Sequence, residues 1–260
     1  MNNIHAGFKV LAFTGLNLIV VPAQSVVLLF TKGRLSYILP HFYHKSVCAI
    51  FRIKAERAGT PYTASQVLYM SNHISYLDIP LMGSLVRDVS FVAKKDVARW
   101  PVWGYLSKLQ QTAFISRKSG DAKKESGTLD TMLENGKNLT IFPEGTSTDG
   151  SNVLDFKSSL FSLALKDAAK SIIIQPVTLQ IITADGQSVQ THDERNIYAW
   201  PRELDMELHH HLWRFAKTSG AVIRVTFHDI MHAQDFEDRK TLAKACHETV
   251  CKGLEISNAA

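Results

Sequence analysis

Cysteine is scarce in this 260-residue chain: Cys48, Cys246 and Cys251 are three in number and widely spread. An odd, scattered set implies no disulfide framework and points to a reducing compartment. Cys246, His247 and Cys251 lack zinc-ligand spacing. There is no G-x-S-x-G, which weighs against a hydrolase of esters or thioesters built on a nucleophile elbow. Internal repeats and low-complexity tracts are also missing. The net charge of +5 and pI near 9.0 fit an anionic membrane, an acidic carrier protein or nucleic acid. Against nucleic acid, the chain has no zinc-finger spacing, no RNA-recognition motif and no basic tail. Its length permits one domain or two.

Charge is missing from one long stretch. Val10 to Thr31 holds no ionisable side chain. As a helix it is about 33 Å long, enough for a hydrocarbon core of about 30 Å. Asn17, Pro22, Gln24 and Ser25 interrupt it. A signal peptide is disfavoured, because the apolar core is long and no small-x-small site closes it. A buried core helix is the remaining alternative. Beyond it Lys32, Arg34, Lys45, Arg52, Lys54 and Arg57 face Glu56 alone. That basic excess places the rest of the chain on the cytoplasmic side and favours anionic lipid. Leu35–Ile53 reads as a second helix and Arg57–Gln66 as a turn-rich passage. The expected division is a membrane-associated helical segment over residues 1–57 and a catalytic domain over 58–260.

Strands are expected at Val67–Met70, Val89–Ala93, Thr112–Arg117, Leu139–Phe142, Ile172–Ile182 and Ala221–Phe227. Helices are expected at Ala122–Asn135, Ser158–Ala169, Met206–Thr218 and Phe236–Leu254. The alternation argues for an α/β fold: a mixed, partly parallel sheet flanked by helices. Pro176 inside an apolar strand reads as an edge or bulge. His209-His210-His211 reads as a polar or interfacial helix face.

The chemistry concentrates after the first of these strands, in His73-Ile74-Ser75-Tyr76-Leu77-Asp78. Imidazole takes up and returns a proton near neutrality. A carboxylate on its other nitrogen fixes the tautomer and stabilises the imidazolium. Five residues of regular helix separate two side chains by about 140°. The pair therefore needs a loop turning into a helix, and Asn72, Ser75, Asp78 and Pro80 suit one. Arg117 closes a strand and offers a planar fork for an anion. Phe142-Pro143-Glu144-Gly145-Thr146 ends another strand, where glycine lets a polar group approach the backbone. His192-Asp193 has no matching block around it.

In order, Asn72-His73-x-Ser75-x-x-Asp78, Phe114-Ile115-Ser116-Arg117, Phe142-Pro143-Glu144-Gly145-Thr146 and Gln175-Pro176-Val177 resemble the four motif blocks of the glycerolipid acyltransferase family. The resemblance implies that His73 is the general base and Asp78 orients it. It further implies that Arg117 holds the acceptor head group and that Glu144, Gly145 and Thr146 help bind or position the acceptor. Pro176 and Val177 would shape the pocket. The implied reaction moves an acyl chain from coenzyme A or acyl carrier protein to 1-acyl-glycerol-3-phosphate, giving phosphatidic acid. No cofactor or metal is implied, and the N-terminal helices would be embedded in one leaflet of a bacterial inner membrane. One departure stands out: Ser147-Thr148-Asp149-Gly150 follows Thr146, where the family often has arginine. That continuation, with Tyr198–Trp213, is similar to a subgroup including lyso-ornithine lipid acyltransferases. A lipid-binding protein without turnover is the non-enzymatic alternative, and the intact His73/Asp78 pair argues against it.

Overall fold

The computed structural model describes residues 3–31, 33–115, 129, 131–165 and 172–258. The chain opens with α1 (Asn3–Phe30), a 3-10 turn (Gly33–Tyr37) and α2 (Ile38–Phe51). Then come β1 (Ile53–Ala58), β2 (Val67–Ser71), α3 (Asp78–Leu85), β3 (Val89–Lys94), α4 (Trp103–Leu109), β4 (Ala113–Ile115) and β5 (Asn138–Ile141). The second half holds β6 (Ile173–Ala184), β7 (Gln187–Ser188), α5 (His192–Arg195), α6 (Leu208–Ala216), β8 (Ala221–Phe227), β9 (Met231–His232) and α7 (Arg239–Asn258).

The strands form a mixed sheet in the order β1-β8-β6-β2-β5-β3-β4, with β7 and β9 also on β6. β2 is central and runs parallel to both neighbours, β5 and β6. β8 runs antiparallel to β6 and parallel to β1. β2 is buried along its whole length because helices cover both faces of the sheet. Val67 and Tyr69 join the core cluster that also holds Phe51, Leu81 and Phe215; Leu68 and Met70 join the opposite one, with Phe161, Leu242 and Val250. A strand covered on both faces reads as a continuous apolar run, which is how Val67-Leu68-Tyr69-Met70 reads.

Several expectations need correcting. Pro176 lies in β6, in the middle of the sheet rather than at an edge. Its ring nitrogen faces the gap between β8, which pairs as far as Val177↔Phe227, and β9, which resumes at Ile174↔Met231. The His228 N–H donates to the Pro176 carbonyl in that gap (3.1 Å), so no ladder bond needs the missing N–H. The expected helix Ser158–Ala169 begins as a 3-10 helix, Ser158–Leu163, and its later residues lie outside those described. Most of the expected helix Ala122–Asn135 lies outside them as well. Arg57 and Ala58, read as the start of a turn passage, finish β1.

α1 is long and apolar enough to cross a membrane, and little of its most hydrophobic stretch is fully buried. It nevertheless lies along the domain and is fastened at two points. Lys9 Nζ donates to the Thr218 carbonyl (2.8 Å). Gln24 Nε2 donates to the carbonyls of Ser36 (2.9 Å) and Leu109 (3.3 Å). Fifteen helical residues separate these fastenings, about 22 Å of axis. Between them Phe13 packs edge-on to Phe51 and stacks on Trp103. The opposite face presents Phe8, Leu11, Leu18, Ile19 and Leu29 to the outside.

Candidate active site

The loops leaving β2 and β5 meet at the C-terminal ends of these adjacent parallel strands, where open α/β sheets place their ligand crevices. Asn72 sets the exit from β2. Its side-chain amide donates to the Leu179 carbonyl (2.9 Å) and accepts from the Leu179 N–H (2.7 Å). This side chain thus continues the ladder to β6 after the backbone has turned away. His73 follows in the loop, and Asp78 opens α3.

Asp78 is fully buried and accepts from four donors. His73 Nδ1 (2.8 Å), Ile74 N–H (2.7 Å) and Ser75 N–H (2.9 Å) all reach Oδ2. The Tyr198 hydroxyl donates to Oδ1 (3.0 Å). A carboxylate accepts and does not donate, so His73 carries its proton on Nδ1 and leaves Nε2 as the free base. The imidazole stacks on Phe142, with centroids 4.2 Å apart and planes inclined by 19°, which fixes its plane. Its side chain remains 21% exposed, enough to reach a substrate hydroxyl.

Phe142, Pro143, Glu144 and Gly145 form a turn closed by Gly145 N–H to the Phe142 carbonyl (3.0 Å). Proline at the second position and glycine at the fourth suit a type I turn. Gly145 has φ +70°, and a Cβ there would run into the Lys157 ammonium. Glu144 is buried, and both its oxygens are engaged. Oε1 accepts from the His73 N–H (2.6 Å) and Oε2 from the Leu154 N–H (2.8 Å). Burial pushes its carboxyl up to about 7, against the pull of those two amides. Its carboxylate is committed to the backbone of His73 and of the loop at Leu154. Thr146 is half-buried just beyond the turn. The Thr148 N–H donates to the His73 carbonyl (2.9 Å), so the 142–154 loop holds His73 by both backbone groups.

Arg117 lies outside the described residues. Pro176 and Val177 are buried within β6. His211, read as part of a polar or interfacial face, is fully buried; its ring meets the Tyr76 hydroxyl (3.1 Å) and the Asn196 carbonyl (3.2 Å). His209 and His210 are exposed. His192-Asp193 sits on an exposed helical turn with a Thr191/Glu194 capping box. His247 meets the Val153 carbonyl (3.3 Å) and Cys251. Among the described residues, no group of three or more His, Cys, Asp or Glu is placed to hold a metal ion.

Sequence reasoning assigned no role to Tyr198. Spacing does not reveal it, because 120 residues separate it from Asp78. The one signal is its place in an aromatic segment, Tyr198-Ala199-Trp200-Pro201, that packs behind the His73 turn. The Trp200 N–H donates to the Ile74 carbonyl (3.0 Å), and the Trp200 carbonyl accepts from the Ser147 hydroxyl (2.6 Å).

A base held by a buried carboxylate, with no serine or cysteine nucleophile among its hydrogen-bond partners in the described residues, is equipped to deprotonate an incoming hydroxyl. Comparison with known proteins agrees. The family model described as Acyltransferase matches residues 52–180. The lyso-ornithine lipid O-acyltransferase of Brucella abortus is 31% identical over 93% of this chain and 90% of its own length. The 1-acyl-sn-glycerol-3-phosphate acyltransferase of Neisseria meningitidis is 32% identical over 71% of this chain and 68% of its own. The crystal structure of the 1-acyl-sn-glycerophosphate acyltransferase PlsC from Thermotoga maritima shares the fold, with a TM-score of 0.70 at 19% identity, covering 100% of this chain and 99% of that one. This chain is therefore an acyltransferase, a member of the lysolipid O-acyltransferase family.

Proposed function

We propose that the protein acylates the free hydroxyl of lyso-ornithine lipid, with an acyl thioester of coenzyme A or acyl carrier protein as donor. The observation that carries the chemistry is the His73–Asp78 pair, with Nε2 of His73 left free. His73 takes the acceptor's hydroxyl proton as the oxygen attacks the thioester carbonyl. Asp78 stabilises the imidazolium, and the proton then passes to the departing thiolate. Glu144 and the 142–154 loop hold His73 in register. A positioned base contributes about 10²–10⁴-fold, and fixing the two substrates supplies much of the rest.

The choice of acceptor rests on two supports. The similar proteins from Brucella abortus, Rhodobacter capsulatus and Rhizobium meliloti are named lyso-ornithine lipid O-acyltransferases. The Ser147-Thr148-Asp149-Gly150 continuation puts serine where the family often has arginine and brings a carboxylate two residues on. An acid there suits the ammonium of an ornithine head group and opposes a phosphate. The second reading is 1-acyl-glycerol-3-phosphate as acceptor. It is supported by the Neisseria relative and by Arg117, whose guanidinium would hold a phosphate.

The enzyme works at the cytoplasmic face of a membrane, with residues 1–57 as the membrane-associated segment and 58–260 as the acyltransferase domain. The two-point fastening of α1 along the domain supports a helix seated in one leaflet rather than crossing. The test is acyl transfer by purified protein in mixed micelles, offering either acceptor beside His73→Ala. Ornithine lipid as product, lost in the variant, is the expected result. Phosphatidic acid alone would move the assignment to the second reading. Transfer by His73→Ala at the wild-type rate would remove the base assignment.

A further inference from the structure

The His73–Asp78 pair does not end at Asp78. Oδ2 is taken up by His73 Nδ1 and the Ile74 and Ser75 amides, while Oδ1 accepts from the Tyr198 hydroxyl, at 3.0 Å. Both Tyr198 and Asp78 are fully buried. The phenol ring is held edge-on by Phe215 of α6 (centroids 6.0 Å). Two residues further on, the Trp200 backbone is bonded to Ile74 and Ser147. The hydroxyl is thus delivered by a segment tied to both loops that build the site. We propose that Tyr198 is a positioning residue for acyl transfer, its hydroxyl holding Asp78 in the orientation that receives His73 and tempering the carboxylate's charge.

This rests on His73 being the base. A donor on Oδ1 draws charge away from Oδ2, so the carboxylate stabilises the imidazolium less than it would alone. Its removal leaves a more strongly attracting carboxylate and a more easily protonated His73. Burial, then the Asp78 charge, holds the Tyr198 phenol well above its usual range, so it stays a donor throughout the working pH. Other titratable groups facing this line are Glu144 from the β5 turn, Tyr76 from the His73 turn and Cys48 from α2. The substitutions at position 198 leave all three in place.

The experiment compares full-length wild type with Tyr198→Phe, following the His73 imidazole by ¹⁵N NMR and transfer against pH. The expected result is a His73 midpoint raised by about half a pH unit or more. The acid limb of kcat moves up with it, kcat falls by about tenfold and KM stays unchanged. Tyr76→Phe removes a neighbouring hydroxyl that bonds His211, not Asp78, and is expected to leave the His73 midpoint in place. Tyr198 replaced by 3-fluorotyrosine keeps the hydroxyl but makes it a stronger donor, and the midpoint should fall. That arm decides the matter should Tyr198→Phe not fold. An unmoved midpoint at position 198, or an equal shift in Tyr76→Phe, overturns the proposal. Absence of transfer by wild type would count against the acyltransferase substrate reading, while the NMR titration would still decide the role of Tyr198.

Discussion

Glu144→Gln isolates what the buried carboxylate does. Glutamine has the same shape but offers one carbonyl oxygen and one NH2 group. Both glutamate oxygens accept backbone N–H bonds, from His73 at 2.6 Å and Leu154 at 2.8 Å. The amide therefore sets a donor against one of these donors. A buried donor left unmatched costs about 1–3 kcal/mol. In a chain of this size that is about 5 °C of melting temperature. Wild type carries an opposing, pH-dependent cost. Its carboxyl is pushed from the usual 4.5 up to about 7 by burial. The folded protein thus holds that proton more tightly than the unfolded chain does. The associated stability is fully present below pH 4.5 and is lost as pH rises through about 7, amounting to about 3 kcal/mol. Glutamine does not titrate. Thermal melts should show Glu144→Gln several degrees less stable than wild type at pH 5, with the gap closed or reversed at pH 8. Groups common to both proteins cancel in the difference. Equal melting temperatures at pH 5 would refute the two-acceptor account. A gap of the same size at both pH values would refute the titration.

Three further outcomes follow from the same geometry. Asp78→Asn should cost both stability and turnover, because an amide sets its NH2 among four donors and disturbs the His73 tautomer; a combined melt and transfer assay should show at least a hundredfold loss of kcat. Asn72→Ala removes both bonds to Leu179 and leaves a buried amide and carbonyl unmet, so denaturant unfolding should show a loss of about 2–3 kcal/mol. Gly145→Ala should lower the melting temperature by a few degrees, because a side chain at φ +70° is strained and displaces Lys157.

Much of the sheet was legible where a strand is buried on one face or on both. Val67–Met70, Val89–Ala93 and Ala221–Phe227 read as strands because apolar residues run through them or alternate, and the strands found are Val67–Ser71, Val89–Lys94 and Ala221–Phe227. β1 was not legible. Lys54, Glu56 and Arg57 interrupt its apolar positions because it lies at the sheet's edge, where β8 alone pairs with it among the described residues. Pro176 misled because the rule against proline in central strands assumes an unbroken ladder, and here the ladder breaks between β8 and β9. In the site, the His73 turn and the Glu144 turn were visible as local residue patterns. The two roles read from the structure alone were not. The bond from Glu144 to the His73 backbone and the bond from Tyr198 to Asp78 join residues 71 and 120 positions apart. Spacing carries no information about contacts made by packing two loops and a distant segment against one another.

The double fastening of α1 has a kinetic consequence. A catalytic domain joined to its apolar N-terminal helix at Lys9 and again at Gln24 cannot swing about a single tether. If that helix sits in one leaflet, as proposed above, the height of His73 above the lipid plane becomes a constant of the molecule. The search for acceptor is then two-dimensional, and turnover should follow the acceptor's mole fraction in the surface rather than its bulk concentration. Diluting the micelle with inert detergent at fixed acceptor should slow the enzyme; diluting the whole suspension with buffer should not.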